Sequence, residues 1–353
     1  MIICNSINDL KQNGVKVNGE INISNNVKFC FNKPENVNLG KNISIGKNSL
    51  IVGLDKITIE DNVRIGIDSV LRSRQTSIGK NTSIGNNMNS IAPVELSFGN
   101  NSNIGNNGTI QCRQFKAGSF LQFYDNAFVG KGGKYGINSK VTIGNGCFVG
   151  KSTLLNTSDE IIIGDNVGLG DEVQIWTHGA YLSQIDGFPA DFGPVKIGSD
   201  VWLPSRCIVL PNVNIGSNVV IGINSLVNKN IPSGCLAGGI PCKVIKKDIF
   251  PKHLSKEEIK VLIEKIIKSY GPLMDDINLK GNIKFISDEQ KIIFTRDDKE
   301  TVYDISKMVI TGFIDEYSED FRDFLRRNGI KFFTNRKFSS IVPPMFKELM
   351  DLK

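Results

Sequence analysis

The chain has 353 residues, 40% of them apolar and 22% charged, which excludes a disordered polymer and allows one long domain plus a smaller one. A formal charge of +6, from 42 basic against 36 acidic residues, is compatible with a phosphorylated ligand but too diffuse for a nucleic-acid footprint. Seven scattered cysteines without C-x-x-C spacing, no cleavable leader at the N-terminus and no apolar run near the ~18 residues of a membrane span make a reducing cytoplasm the expected location.

From the N-terminus onward, an aliphatic residue followed by glycine recurs in a six-residue unit. Leu39-Gly40 and Ile45-Gly46 are the first phased pair, and Ile78-Gly79 with Ile84-Gly85, Ile163-Gly164 with Leu169-Gly170, and Ile215-Gly216 with Ile221-Gly222 repeat the phase. Such a period predicts a triangular coil in which each unit lays a short strand along one flat face. The aliphatic residue points inward, and Gly and Asn serve the corners, where both tolerate positive φ. One coil cannot bury its own interior, so coils stack around a shared aliphatic column.

The expected boundaries follow from where the phase holds. Residues 1–248 form the β-helix, with irregular coils at about 111–140, where Lys131-Gly132-Gly133-Lys134 breaks the pattern, and a loop excursion at 178–194. Residues 249–353 form a small α+β domain. Ser255-Lys256-Glu257-Glu258 reads as a capping box opening a helix, alternating segments at 282–287, 291–295, 301–305 and 308–313 read as strands, and a second helix spans 318–328 before Gly329.

Candidate chemistry gathers between His178 and Lys247. His178 ends a phased unit at the point where the chain leaves the repeat, and loops thrown out from a rigid scaffold commonly carry function. Small residues around Ala237-Gly238-Gly239 would let an extended ligand lie close to the backbone, and nearby lysines suit a phosphate-bearing tail.

The stretch 195–247 resembles the C-terminal coils of hexapeptide-repeat acyltransferases, in particular the branch of galactoside, maltose and xenobiotic acetyltransferases. The resemblance rests on Val201-Trp202-Leu203-Pro204-Ser205, on the run from Ile215-Gly216 through Ile231-Pro232, and on Ala237-Gly238-Gly239-Ile240-Pro241-Cys242-Lys243. It implies a left-handed β-helix, a homotrimer with sites between neighbouring subunits, and an acetyl-CoA or other short acyl-CoA donor with no metal. It further implies that His178 is the base, that Ser205 and Ile223 meet the pantetheine arm, that Asn228 and Lys229 lie near the adenosine end, and that Lys243 and Lys246 lie near the coenzyme phosphates. Pro204, Ile223 and Asn228 stand where the family has Gly, Ala and Thr.

The expected reaction is direct transfer. An amine or hydroxyl loses its proton to imidazole as it attacks the thioester. Asp159, Glu160, Asp171 and Glu172 are candidates to orient His178, and Cys207 and Cys242 are candidates for a rival nucleophile. The expected acceptor is a nucleotide-linked amino sugar giving an N-acyl product; the alternatives are O-acetylation of a sugar hydroxyl in surface-polysaccharide synthesis and a silent scaffold. With only two histidines, a three-histidine zinc site is excluded by counting.

Overall fold

The computed structural model describes residues 1–130, 132 and 136–350, so most of the Lys131–Lys134 break lies outside the described residues. It divides into two compact units, Met1–Pro251 and Lys252–Lys353.

The first unit is a parallel β-helix with three flat faces taken in strict rotation. Face I carries short strands such as Ile43–Ile45, Gly168–Leu169 and Val201–Leu203. Face II carries Leu154–Asn156, Gln174–Trp176 and Ile208–Val209, and face III carries Ile161–Ile163, Val195–Ile197 and Asn214–Ile215. Parallel registers stack the inward residues into three columns. One runs Ile45, Ile65, Ile84 and Ile104 on face I; Val129, Leu155, Ile175 and Val209 form another on face II; Ile143, Ile163, Ile197 and Ile215 form the third on face III. All of these side chains are buried.

Asparagine and glycine divide the corner work differently from the sequence expectation. The left-handed corner positions are held by Asn, as at Asn62, Asn81 and Asn101 with φ near +57°. Their amides form a ladder between coils, Asn62 to Asn81 and Asn81 to Asn101 each at 2.9 Å. The glycine after most of the aliphatic residues, Gly130 excepted, is not at positive φ; at positions such as Gly85 it is needed because the next coil passes too close. A Cβ on Gly85 would sit 2.7 Å from the Gly105 carbonyl. Gly85→Ala is therefore expected to destabilise the protein by about 1–3 kcal/mol through overpacking. Gly222→Ala, whose nearest neighbour would be at 3.5 Å, should be close to neutral in the same denaturant titration.

The coils expected to be irregular keep the ladder through Phe128–Val129. Their phase is hidden in the sequence because Phe115 and Phe123 replace aliphatic residues in the column, while Ala117 supplies the compensating small residue. The N-terminal end also differs. A strand at Ile2–Cys4 pairs antiparallel with Lys28–Phe31, and a helix at Ile7–Gln12, capped by Ser6, buries Leu10 against the end of the column.

In the second unit the helix Lys256–Asp276 begins with the expected capping box at Ser255 and Glu258. An antiparallel meander follows at Asn282–Ile286, Lys291–Arg296, Lys299–Asp304 and Val309–Gly312, then a helix at Glu316–Arg327. Its core joins Tyr270, Phe294, Tyr303 and Phe321. The fully buried Arg322 pairs with Glu319 at 2.6 Å and donates to the backbone carbonyls of Phe332 and Lys337 at 3.0 and 2.6 Å, so a charge that would be costly if left alone has a counter-ion and hydrogen bonds.

Candidate active site

Face II ends at Trp176, and the chain then turns on Thr177. The Thr177 hydroxyl donates to the Asn156 carbonyl at 2.7 Å and accepts from the Ser158 and Asp159 amides at 2.7 and 2.9 Å. This buried knot holds the next residue, His178, at the edge between faces II and III. There His178 and Gly179 pair antiparallel with Phe192 and Asp191, and the Gly193 amide returns to the Thr177 carbonyl at 3.0 Å. Asn212, on a later coil, ties the stem down by donating to Asp191 Oδ1 and the Phe192 carbonyl. The excursion beyond this stem is exposed, with Tyr181 and Ile185 each 97% accessible.

The imidazole is held on several sides. Phe192 stacks on it with ring centroids 5.9 Å apart, and Trp176 lies 6.3 Å away. The Gly132 backbone closes against its edge, so that a Cβ there would meet Cε1 at 2.4 Å. Nδ1 lies 2.7 Å from Oδ1 of Asn156, a residue only 1% exposed. With the Asn156 amide oxygen as acceptor, a neutral ring carries its proton on Nδ1 and has the Nε2 lone pair free. This is the tautomer a base needs.

Asn156 was not singled out from the sequence, which pointed to acidic neighbours instead. Three of those acids, Asp159, Asp171 and Glu172, are occupied elsewhere. Asp159 accepts from the Glu160 amide, Asp171 caps the Lys151 amide at 2.7 Å, and Glu172 pairs with Arg206 at 2.7 Å. The signal for Asn156 is coil arithmetic, since Asn156 pairs in register with Trp176 one coil later. Asn156→Ala is expected to lower kcat by about 10- to 100-fold, because this hydrogen bond becomes charge-assisted, worth about 1.5–3 kcal/mol, when the imidazole takes up a proton. KM should barely move, and Asn156→Asp, which still accepts from Nδ1, should recover most of the loss in steady-state kinetics.

Four of the remaining sequence candidates fall on two edges of face II. Asn228 and Lys229 follow the strand Leu226–Val227 and share the II–III edge with His178. Ser205 and Ile223 occupy the I–II edge, in consecutive coils, with the Asn224 amide donating to the Ser205 carbonyl at 3.1 Å. Lys243 and Lys246 are exposed on a closing strand, Lys243–Lys246, that runs antiparallel to Leu236–Gly238 on face I. Within one chain, His178 and the Ser205–Ile223 edge are thus separated by the width of face II. The cysteines are poor nucleophiles. Burial pushes the Cys207 and Cys242 thiols up, and Cys207 Sγ donates to the Gly222 carbonyl at 3.3 Å.

This parallel β-helix of hexapeptide coils, with a histidine at a coil edge, is similar in sequence to several acetyltransferases. The chain is 32% identical over 131 residues to galactoside O-acetyltransferase of Escherichia coli, covering 36% of this chain and 64% of that protein. It is 36% identical over 114 residues to chloramphenicol acetyltransferase of Morganella morganii, covering 30% and 51%. The chain thus spans between about half and just under two thirds of these curated relatives. A solved maltose O-acetyltransferase from Clostridium difficile is 25% identical, covers 50% of this chain and 68% of its own, and superposes with a TM-score of 0.27. No protein-family model matches the chain. The resemblance first drawn from the coils at 195–247 is borne out.

Proposed function

We propose that this protein is an acyl-CoA-dependent acyltransferase in which His178 Nε2 removes the proton from a sugar acceptor as that acceptor attacks the thioester. The observation that supports this reading is the Asn156–His178 pair, whose 2.7 Å contact at Nδ1 lets a neutral ring keep its Nε2 lone pair free. The proton passes to Nε2 during attack and from there to the departing thiolate, so the imidazole ends neutral. The Asn156 side-chain nitrogen, buried and without a partner among the described residues, is a further donor beside the base.

The coenzyme would lie with its pantetheine arm at the Ser205–Ile223 edge, its adenosine end near Asn228 and Lys229, and its phosphates near Lys243 and Lys246. Because His178 and the pantetheine edge flank face II, a complete site needs a second copy. Face II is suited to meet one: Phe128, Leu154, Ile208 and Leu226 stand on its outer surface in register with Gln174, alternating with the buried column. A closed homotrimer packed on this face would set His178 of one copy opposite Ser205 of the next.

For the acceptor we favour a sugar hydroxyl, in line with similarity to a galactoside O-acetyltransferase. The second reading is a nucleotide-linked amino sugar giving an amide, which the excess of basic over acidic residues would accommodate. The deciding experiment is thiol release from acetyl-CoA against both acceptor classes, followed by mild alkali. An ester product is cleaved, while an amide survives and establishes the second reading.

A further inference from the structure

Face I departs from the rest of the helix along its outer surface. From the coil of Ser83 onward its outward row reads Ser83, Asn103, Gln122, Phe148, Gly168 and Trp202, in continuous parallel register. No formal charge occurs among these six residues, which follow Arg64 of the preceding coil, whereas the outward row of face III carries Lys116 and Lys196. The row spans five strand spacings, roughly 24 Å.

Two exceptions to the repeat build an aromatic strip here. Tyr124 follows the inward Phe123 at the place where the neighbouring coils have Gly105 and Gly150, positions at which a Cβ would meet the next coil at 2.4–2.5 Å. The repeat therefore selects against a large residue at this point, yet Tyr124 is present, 41% exposed, its ring 5.1 Å from that of Phe148. The second exception is Gly168, an outward position with no side chain. Its absence lets the indole of Trp202 lie flat across the strand, so that a Cβ on Gly168 would touch the ring at 2.4 Å. Trp202 is itself 42% exposed. A shallow cleft lined by Ser83, Asn103, Asn106, Tyr124 and Asp125 continues the strip toward the N-terminal coils.

We propose that this strip is a binding platform for an uncharged oligosaccharide, so that the acceptor is one sugar within a longer chain. Exposed ring faces offer negative quadrupoles to the C–H faces of pyranoses, and the amides and hydroxyls between them match sugar hydroxyls. The lack of cations along the row disfavours nucleic acid or a polyanion, which would require them. Trp202 lies three residues before Ser205, so the platform runs from the coenzyme edge along the shaft. The inference rests on the acyl-transfer reading only for what becomes of the bound chain, and binding alone tests the platform.

The test screens the full chain, without coenzyme, against an array of uncharged hexose and N-acetylhexosamine oligosaccharides of graded length, with titration calorimetry on the best binder. The variant is Tyr124→Gly with Phe148→Ser, which restores the repeat's own residue at 124 and a polar outward residue at 148. Expected are length-dependent binding by the wild type, about tenfold weaker binding by the variant, and unchanged turnover of a single-sugar acceptor. Absence of binding by the wild type, equal binding by the variant, or a change in oligomeric state on mutation would each overturn the platform. Tyr124-dependent binding without thiol release from any acceptor would uphold the platform and reject the acyl-transfer reading.

Discussion

His178→Ala is expected to lower turnover with an acyl-CoA donor by about 10²–10⁴-fold, the usual contribution of a positioned general base. The expectation is this large because the imidazole is held by Asn156 Oδ1 at Nδ1, the Phe192 face and the Gly132 backbone, an arrangement no water could reproduce. Coenzyme affinity should be nearly unchanged, since the proposed coenzyme contacts lie on other residues. The side chain is only half-buried, and the turn that carries it is knotted by Thr177, so the fold should also survive. Steady-state thiol release beside calorimetric coenzyme binding separates the two effects. Activity within a few fold of the wild type would remove His178 from the mechanism.

The second large effect concerns face II. Ile208→Glu places a carboxylate in the outward row between Gln174 and Leu226 without touching the inward column, where Val209 is fully buried. A charge desolvated at an interface without a partner costs about 3–5 kcal/mol, which at about 1.4 kcal/mol per tenfold is two to three decades in self-association. Light scattering should therefore show a folded monomer, and turnover should fall with it. Co-expression sharpens the test: His178→Ala and Ile223→Arg should each be inactive alone and regain part of the activity as mixed assemblies, because one copy supplies the base and another the pantetheine edge. A monomer that keeps full turnover would show that face II is not part of the site.

The legibility of the two halves of the site differs for a physical reason. His178 could be found from the sequence because it stands where a strict period stops, and a period is local information. Its partner Asn156 could not, because the contact runs between coils, 22 residues apart. Of the acids read as neighbours of His178, Asp159 and Asp171 cap backbone amides, work that any coil corner can demand, and Glu172 pairs with Arg206. Ser205 and Ile223 were legible as a matched pair, but the sequence did not disclose that they sit on the opposite edge of face II from His178. Which edge a residue reaches depends on the number of residues in each turn, and insertions such as 178–194 change that count without altering the motif. Tyr124 was passed over for a related reason: with Phe123 it looked like loss of phase, when the ladder continues through Gln122–Phe123 into Phe148–Val149.

By itself the sequence determined the β-helix, because each six-residue unit carries its own inward aliphatic residue and its own corner, and stacking is the one way to bury such units together. It also determined the helices and strands of the second unit, whose caps and alternation are local signals. Only the tertiary structure decided what the repeat glycines are for, since the constraint is the backbone of the neighbouring coil and not their own φ. The histidine tautomer and the uncharged aromatic face were likewise set there, because each is a property of residues made adjacent by stacking, at distances the chain order does not encode.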